Sequence, residues 1–162
     1  MNGALPEHGT PCEGMFMRIQ ALNHSTYQHL YHIVWGTKYR RHFLKPDVVQ
    51  RIFADSLYAT AREHPEIYIL AVKTDLDHVH LQVEIAPSVS VAAAVQALKA
   101  NASIALKSKF KFIKKMYLDG GIWSVGYFSS TNGLNEQIVR RYIESQGRRD
   151  YPSNEQARLG FL

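Results

Sequence analysis

The chain has 162 residues, 46% of them hydrophobic and 20% charged, the size and make-up of one globular domain with a real core. Its net charge of +5 and pI of about 9.4 favour polyanionic partners, nucleic acid ahead of a membrane surface. The single Cys12 excludes an internal disulfide framework and a Cys-rich zinc site. No run of about 18 apolar residues predicts a membrane span, and the first residues lack the pattern of a signal peptide, so a cytoplasmic protein is expected.

Residues 1–20 carry Gly3, Pro6, Gly9, Pro11 and Gly14 without periodicity and read as an irregular extension. Residues 29–37, rich in β-branched and aromatic side chains, predict the first strand. Lys38, Tyr39, Arg40, Arg41 and His42 follow at once. This basic cluster suits a phosphate backbone and suits a solvated loop equally well. Pro46 opens a helix in which Val48, Val49, Ile52, Phe53, Leu57, Tyr58 and Ala61 recur at helical spacing, and His64-Pro65 ends it. Residues 66–73 read as a second strand and 74–77 as a hairpin turn.

In residues 78–85, Val79, Leu81, Val83 and Ile85 alternate with His78, His80, Gln82 and Glu84. Period 2 predicts a strand with one apolar and one polar face. Both histidines then point the same way, about 7 Å apart along the strand, within reach of one divalent ion. Two ligands rarely complete a site, and a polar face with solvated histidines is the plain alternative.

Ser90 is placed to N-cap an alanine-rich helix through Val91, Val95, Leu98, Ala102 and Leu106. Its end turns basic, with Lys107, Lys109, Lys111, Lys114 and Lys115 interleaved with Phe110, Phe112 and Tyr117. Five lysines in nine residues exceed what a helix C-terminus needs and favour a nucleic-acid contact. Residues 119–121 form a turn, and 122–131 predict a fourth strand with Gly126 as a bulge or a close backbone approach. Asn135 caps a last helix over 136–146, with Ile138, Val139 and Ile143 inward and Tyr142 and Gln146 one turn apart on one side. Arg140 and Arg141 add positive charge there.

The order β-α-β-β-α-β followed by a helix predicts an α+β fold. It is the ferredoxin-like split βαβ, a four-stranded antiparallel sheet with helices on one face. The first and third strands then lie at the centre, with His78 and His80 on the uncovered face. The expected organisation is an extension over 1–20, one domain over 21–150 and a tail over 151–162.

These pieces, in this order, resemble the single-tyrosine transposases of the IS200/IS605 type, nucleases of the HUH class. The likeness rests on 31–35 with 38–41, on Asp77-His78-Val79-His80-Leu81, on 123–128, and on Asn135-Glu136 with 140–146. The resemblance implies that His78, His80 and Gln146 bind a divalent ion, Mg²⁺ or Mn²⁺, and that Tyr142 on a C-terminal catalytic helix is the nucleophile. It implies cleavage and rejoining of single-stranded DNA through a 5′-phosphotyrosine. The partners it implies are single-stranded DNA with hairpin ends and a second copy of the chain, the two sharing active sites. Lys38, Arg40, Arg41, Lys107, Lys109, Lys111, Arg140 and Arg141 are the candidate DNA contacts. Gln82 and Glu84 depart from the pattern, standing on the histidine side where the family often has apolar residues; Glu84 is a candidate to perturb the metal site or to orient a ligand.

Two rival readings differ in class. A non-catalytic nucleic-acid-binding module stacks bases on Tyr31, Trp35 and Tyr127, but the chain has no Lys/Arg-Gly-Phe signature on its third strand. An RNA phosphodiesterase needs paired His-x-Ser/Thr motifs on strands; His24-Ser25-Thr26 and His8-Gly9-Thr10 have the letters but fall in the irregular N-terminal part.

Overall fold

The computed structural model describes residues 20–22, 25–118, 120–131 and 142–143. A short antiparallel hairpin, β1 (Gln20–Leu22) and β2 (Ser25–Tyr27), begins the described chain. Then come β3 (Leu30–Gly36), α1 (Asp47–Glu63), β4 (Ile67–Thr74), β5 (His78–Ile85), α2 (Val91–Lys109), α3 (Lys111–Met116) and β6 (Phe128–Ser130). The main sheet has the order β4-β5-β3-β6, and every pairing is antiparallel. This is the α+β, split βαβ arrangement, with β3 and β5 at the centre.

Alternation on the central strands builds the core. Ile33 and Trp35 from β3 and Val79, Leu81, Val83 and Ile85 from β5 are fully buried. They pack against Phe53 and Leu57 of α1 and Leu98, Ala102 and Leu106 of α2. Ser90 caps α2 as its sequence suggests, its Oγ accepting from Ala93 N at 3.1 Å. Phe53 stands edge to Trp35 and tilted on Trp123, with ring centroids 6.4 and 5.4 Å away.

The structure departs from the sequence reading in four places. The β1–β2 hairpin precedes the strand expected to be first. A register shift between Ile69 and Ala71 bulges β4, so Leu70 and Ala71 are exposed in succession. The basic stretch after α2 is helical again. Phe110 breaks the helix in an extended conformation, packs partly buried on the core, and α3 restarts to bury Ile113.

The fourth strand is far shorter than 122–131. Ile122, Trp123 and Ser124 are buried in succession, and Trp123 makes a single antiparallel bridge to Thr37 before the pairing lapses until Phe128. Trp123 turns its indole into the core and donates from Nε1 to Lys99 O at 2.9 Å. Gly126, at φ +87°, is in the left-handed region that favours glycine, so the chain can turn before β6. Lys99 spans this loop, donating to Ser124 O and Gly126 O.

Lys107 is also taken up by structure: its Nζ donates to Tyr117 O at 3.1 Å and to Gly120 O. Lys109, Lys111, Lys114 and Lys115 are exposed. Among the described residues, no helix is long and apolar enough to cross a membrane.

Two stability predictions follow from this packing. Phe53→Ala lowers the unfolding free energy by about 3–5 kcal/mol, read by denaturant titration; a loss below about 1 kcal/mol contradicts the aromatic core. Lys107→Ala costs about 1–3 kcal/mol through its two carbonyl acceptors, whereas Lys109→Ala stays within about 0.5 kcal/mol. Equal small effects at both positions contradict the structural role of Lys107.

Candidate active site

The hydrogen-bond register places the sheet's second face residue by residue. On β3, Gly36, Val34 and His32 stand opposite His78, His80 and Gln82 of β5. On the far side of β5, Lys73 and Ala71 stand opposite His80 and Gln82. On the far side of β3, Phe128 and Ser130 stand opposite Val34 and His32. Residues directly opposite share a face. One row therefore runs Lys73, His80, Val34, Phe128, and the next runs Ala71, Gln82, His32, Ser130.

The two histidine rings lie with centroids 4.9 Å apart at 67°. His78 Nδ1 is 2.9 Å from Asp77 Oδ1. An ionised carboxylate only accepts hydrogen bonds, so this contact assigns a proton to Nδ1, and in the neutral ring the lone pair is then on Nε2. Burial raises the Asp77 carboxyl, but hydrogen bonds from His78 and Arg40 and the charge of Arg40 outweigh it and hold Asp77 below the usual carboxylate range. Arg40 Nε donates to Asp77 Oδ2 at 2.9 Å. The exposed Asp75 has Oδ2 3.7 Å from His78 Nε2.

His80 is held below the ordinary imidazole range by burial, with the charges of His78 and Lys73 adding to the effect. Both effects favour the neutral imidazole, the form that ligates metal. Its Nδ1 is buried with no hydrogen-bond partner among the described residues. Two close imidazoles, one oriented by a carboxylate and one with a buried nitrogen that no described residue claims, fit a divalent ion. Among the described residues no group of three His, Cys, Asp or Glu forms a ligand set, so the pair needs a donor of another kind or from elsewhere. Gln146, the expected third ligand, lies outside the described residues, as do Arg140 and Arg141.

Tyr142 and Ile143 are helical. They pack on Val34 and Phe128, the two apolar members of the His80 row. The Tyr142 and Phe128 rings are 6.1 Å apart at 45°, and the Tyr142 hydroxyl is buried. Ile143 Cδ1 comes within 4.0 Å of where a Cβ on Gly36 would stand, an ordinary contact distance, so this turn lies against the end of β3. Tyr142 is thus carried over β3, one strand spacing of about 4.8 Å from the histidine strand.

The other candidates separate. The turn Lys38–Arg40 is a single 3₁₀ turn in which Tyr39 and Arg40 have φ of +59° and +51°. Left-handed backbone at a non-glycine residue costs about 1–2 kcal/mol each. Arg41 donates from a guanidinium nitrogen to Met116 O at 2.7 Å and lies over the Tyr39 and Tyr117 rings. Lys38 Nζ also lies over Tyr39, 5.2 Å from its centroid. Glu84 stands opposite Leu30 and Tyr68, two pleats or roughly 14 Å beyond His80, too far to orient either histidine. Asp77, His32 and Lys73 belong to the site and had no role in the sequence reading. Asp77 was visible as the acid just before the motif, and His32 as a polar residue of the same strand parity.

The family pattern described as IS200-like transposase matches residues 25–146. The chain is 31% identical over 127 residues to the transposase for insertion sequence element IS200 of Salmonella typhimurium, covering 78% of this chain and 82% of that protein. It is 28% identical over 121 residues to the ISDra2 transposase TnpA of Deinococcus radiodurans, covering 74% and 85%. A 1.90 Å crystal structure of a candidate transposase from Deinococcus radiodurans R1 superposes with a TM-score of 0.68 at 26% identity, covering 78% of this chain and 97% of that one. With the sheet order, the paired histidines and the tyrosine turn on one face, these likenesses establish that the chain belongs to the IS200-like, single-tyrosine transposase family.

Proposed function

We propose that this transposase cleaves and rejoins single-stranded DNA through a 5′-phosphotyrosine on Tyr142, with a divalent ion held by His78, His80 and Gln146. The observation that supports it most is the shared sheet face: the His78/His80 pair on β5 and Tyr142 seated on Val34 and Phe128 of the adjoining strands. When bound, Mg²⁺ or Mn²⁺ polarises the scissile phosphate and offsets its developing charge. His78 presents Nε2 because Asp77 claims Nδ1. Burial, with the charge of Lys73, favours the neutral form of His80.

Tyr142 Oη attacks phosphorus, the bond to the 3′ oxygen breaks, and the Tyr142 proton passes to a base while the leaving oxygen becomes a 3′-OH. One phosphodiester is exchanged for another, so the step reverses without an external energy source: a 3′-OH attacks the phosphotyrosine and expels Tyr142. Exposed lysines, among them Lys109 and Lys111, with Lys38, Arg41, Arg140 and Arg141, supply backbone neutralisation for a strand with hairpin ends. A second copy of the chain completes the working form, the two sharing active sites.

The test uses the full chain and single-stranded DNA from its own genomic flanks, with and without Mn²⁺ or Mg²⁺, on denaturing gels. Wild type gives a protease-sensitive, slow-migrating adduct and a free 3′ fragment only with metal. His78→Ala and Tyr142→Phe reduce both products to background while native-gel binding of the same DNA persists. Cleavage that survives chelation, or an adduct that persists in Tyr142→Phe, contradicts the proposal. Binding without any cleavage product in wild type favours the non-catalytic module.

A further inference from the structure

Charge alone does not account for the turn after β3. A lysine or arginine reaches a phosphate from any backbone conformation, yet Tyr39 and Arg40 occupy the left-handed region in succession, where side-chain-bearing residues are disfavoured. Several contacts hold the turn there. Lys38 N donates to Ile122 O and the Tyr117 hydroxyl donates to Lys38 O, both at 2.8 Å. Arg40 N donates to Thr37 O at 3.1 Å. The buried Thr37 hydroxyl lies 2.8 Å from Arg41 O and 3.2 Å from Asp77 O, and Thr37 N donates to Asp77 O at 2.8 Å. The same residue thereby ties the turn to the start of β5.

What this anchoring delivers is one contact. Lys38 and Arg41 go to aromatic rings and, for Arg41, to a carbonyl; among the described residues Arg40 is the one of the three that reaches a carboxylate, Asp77 Oδ2. The other oxygen of that carboxylate meets His78 Nδ1 at the same 2.9 Å. The Asp77 side chain is only 8% exposed, so few alternative partners are available to it. A carboxylate with both oxygens engaged is locked in rotation, and the imidazole against it is locked in tautomer.

We infer that Arg40 is a positioning residue: through Asp77 it keeps His78 in the Nδ1–H tautomer, with Nε2 presented to the ion of the proposed reaction. This rests on the metal reading above. Without Arg40 the carboxylate turns, and His78 samples the Nε2–H form, whose lone pair lies on Nδ1 and not on the nitrogen presented to the ion. Outer partners of this kind change metal affinity by about 10–100-fold.

The experiment measures Mn²⁺ binding to the full-length protein by calorimetry, the His78 tautomer by ¹⁵N NMR of the metal-free protein, and the salt dependence of binding to a flank oligonucleotide without metal. Arg40→Ala is expected to weaken Mn²⁺ about tenfold or more and to mix the two His78 tautomers, leaving the salt slope unchanged. Asp77→Asn, whose amide can donate to Nδ1, is expected to shift His78 toward Nε2–H. A single Nδ1–H tautomer and wild-type Mn²⁺ affinity in Arg40→Ala overturn the inference. So does a salt slope that falls by about one with Mn²⁺ affinity intact, the signature of a phosphate contact. His78→Ala separates the two levels: wild-type Mn²⁺ binding there rejects the metal reading itself, while lost binding there with none lost in Arg40→Ala rejects only the positioning role.

Discussion

The site depends on the register of β5. That strand is hydrogen-bonded on both sides, to β3 and to β4, and its four apolar side chains are all buried against the helices. Burying a Val, Leu or Ile fully is worth about 1.5–3 kcal/mol each. A slip of one residue would expose all four and turn the histidines into the core. The energy that folds the sheet is therefore the energy that aims His78 and His80 at the open face. The same logic holds on β3, where Ile33 and Trp35 face the core and leave Val34 and Gly36 to meet the tyrosine turn.

The upper end of β5 joins this apolar frame to polar chemistry. Asp77 is buried at the strand's entry, its carbonyl bonded to Thr37 N and its carboxylate shared by Arg40 and His78. Such a carboxylate is stable in the interior because both oxygens are satisfied by donors. Three segments meet there: the 3₁₀ turn, the hairpin turn before β5, and the stretch 122–124, where Ser124 Oγ donates to Thr37 O. The long apolar core and this small polar knot are complementary; one sets which face the histidines occupy, the other which nitrogen His78 presents.

Much of this was legible in the sequence where periodicity is strong. Residues 78–85 alternate without exception, so the strand, its face and the paired histidines could be read directly. Pro46 and Ser90 marked helix starts that the structure places at Asp47 and Val91. Residues 122–131 misled because their β-rich composition conceals that the pairing is interrupted: Trp123 bridges Thr37 with its indole packed on the core rings, and the ladder resumes only at Phe128. The break at Phe110 was hidden in the same way, since lysines dominate the pattern while the phenylalanine decides the packing. The link from Arg40 to Asp77 spans 37 positions and passes through two left-handed residues that are neither glycine nor asparagine. No local propensity announces such a turn; only the surrounding contacts impose it.

The most direct test of the central claim is to identify the atom that carries the DNA. The covalent product from a metal-containing reaction is digested with nuclease and trypsin, and the nucleotide-bearing peptide is sequenced by mass spectrometry. Cleavage after Arg141 and Arg148 releases a peptide that begins at Tyr142. The account predicts a 5′-linked nucleotide on the tyrosine of that peptide. A nucleotide on any other residue, Tyr127 for example, or a linkage through the 3′ end, would contradict it.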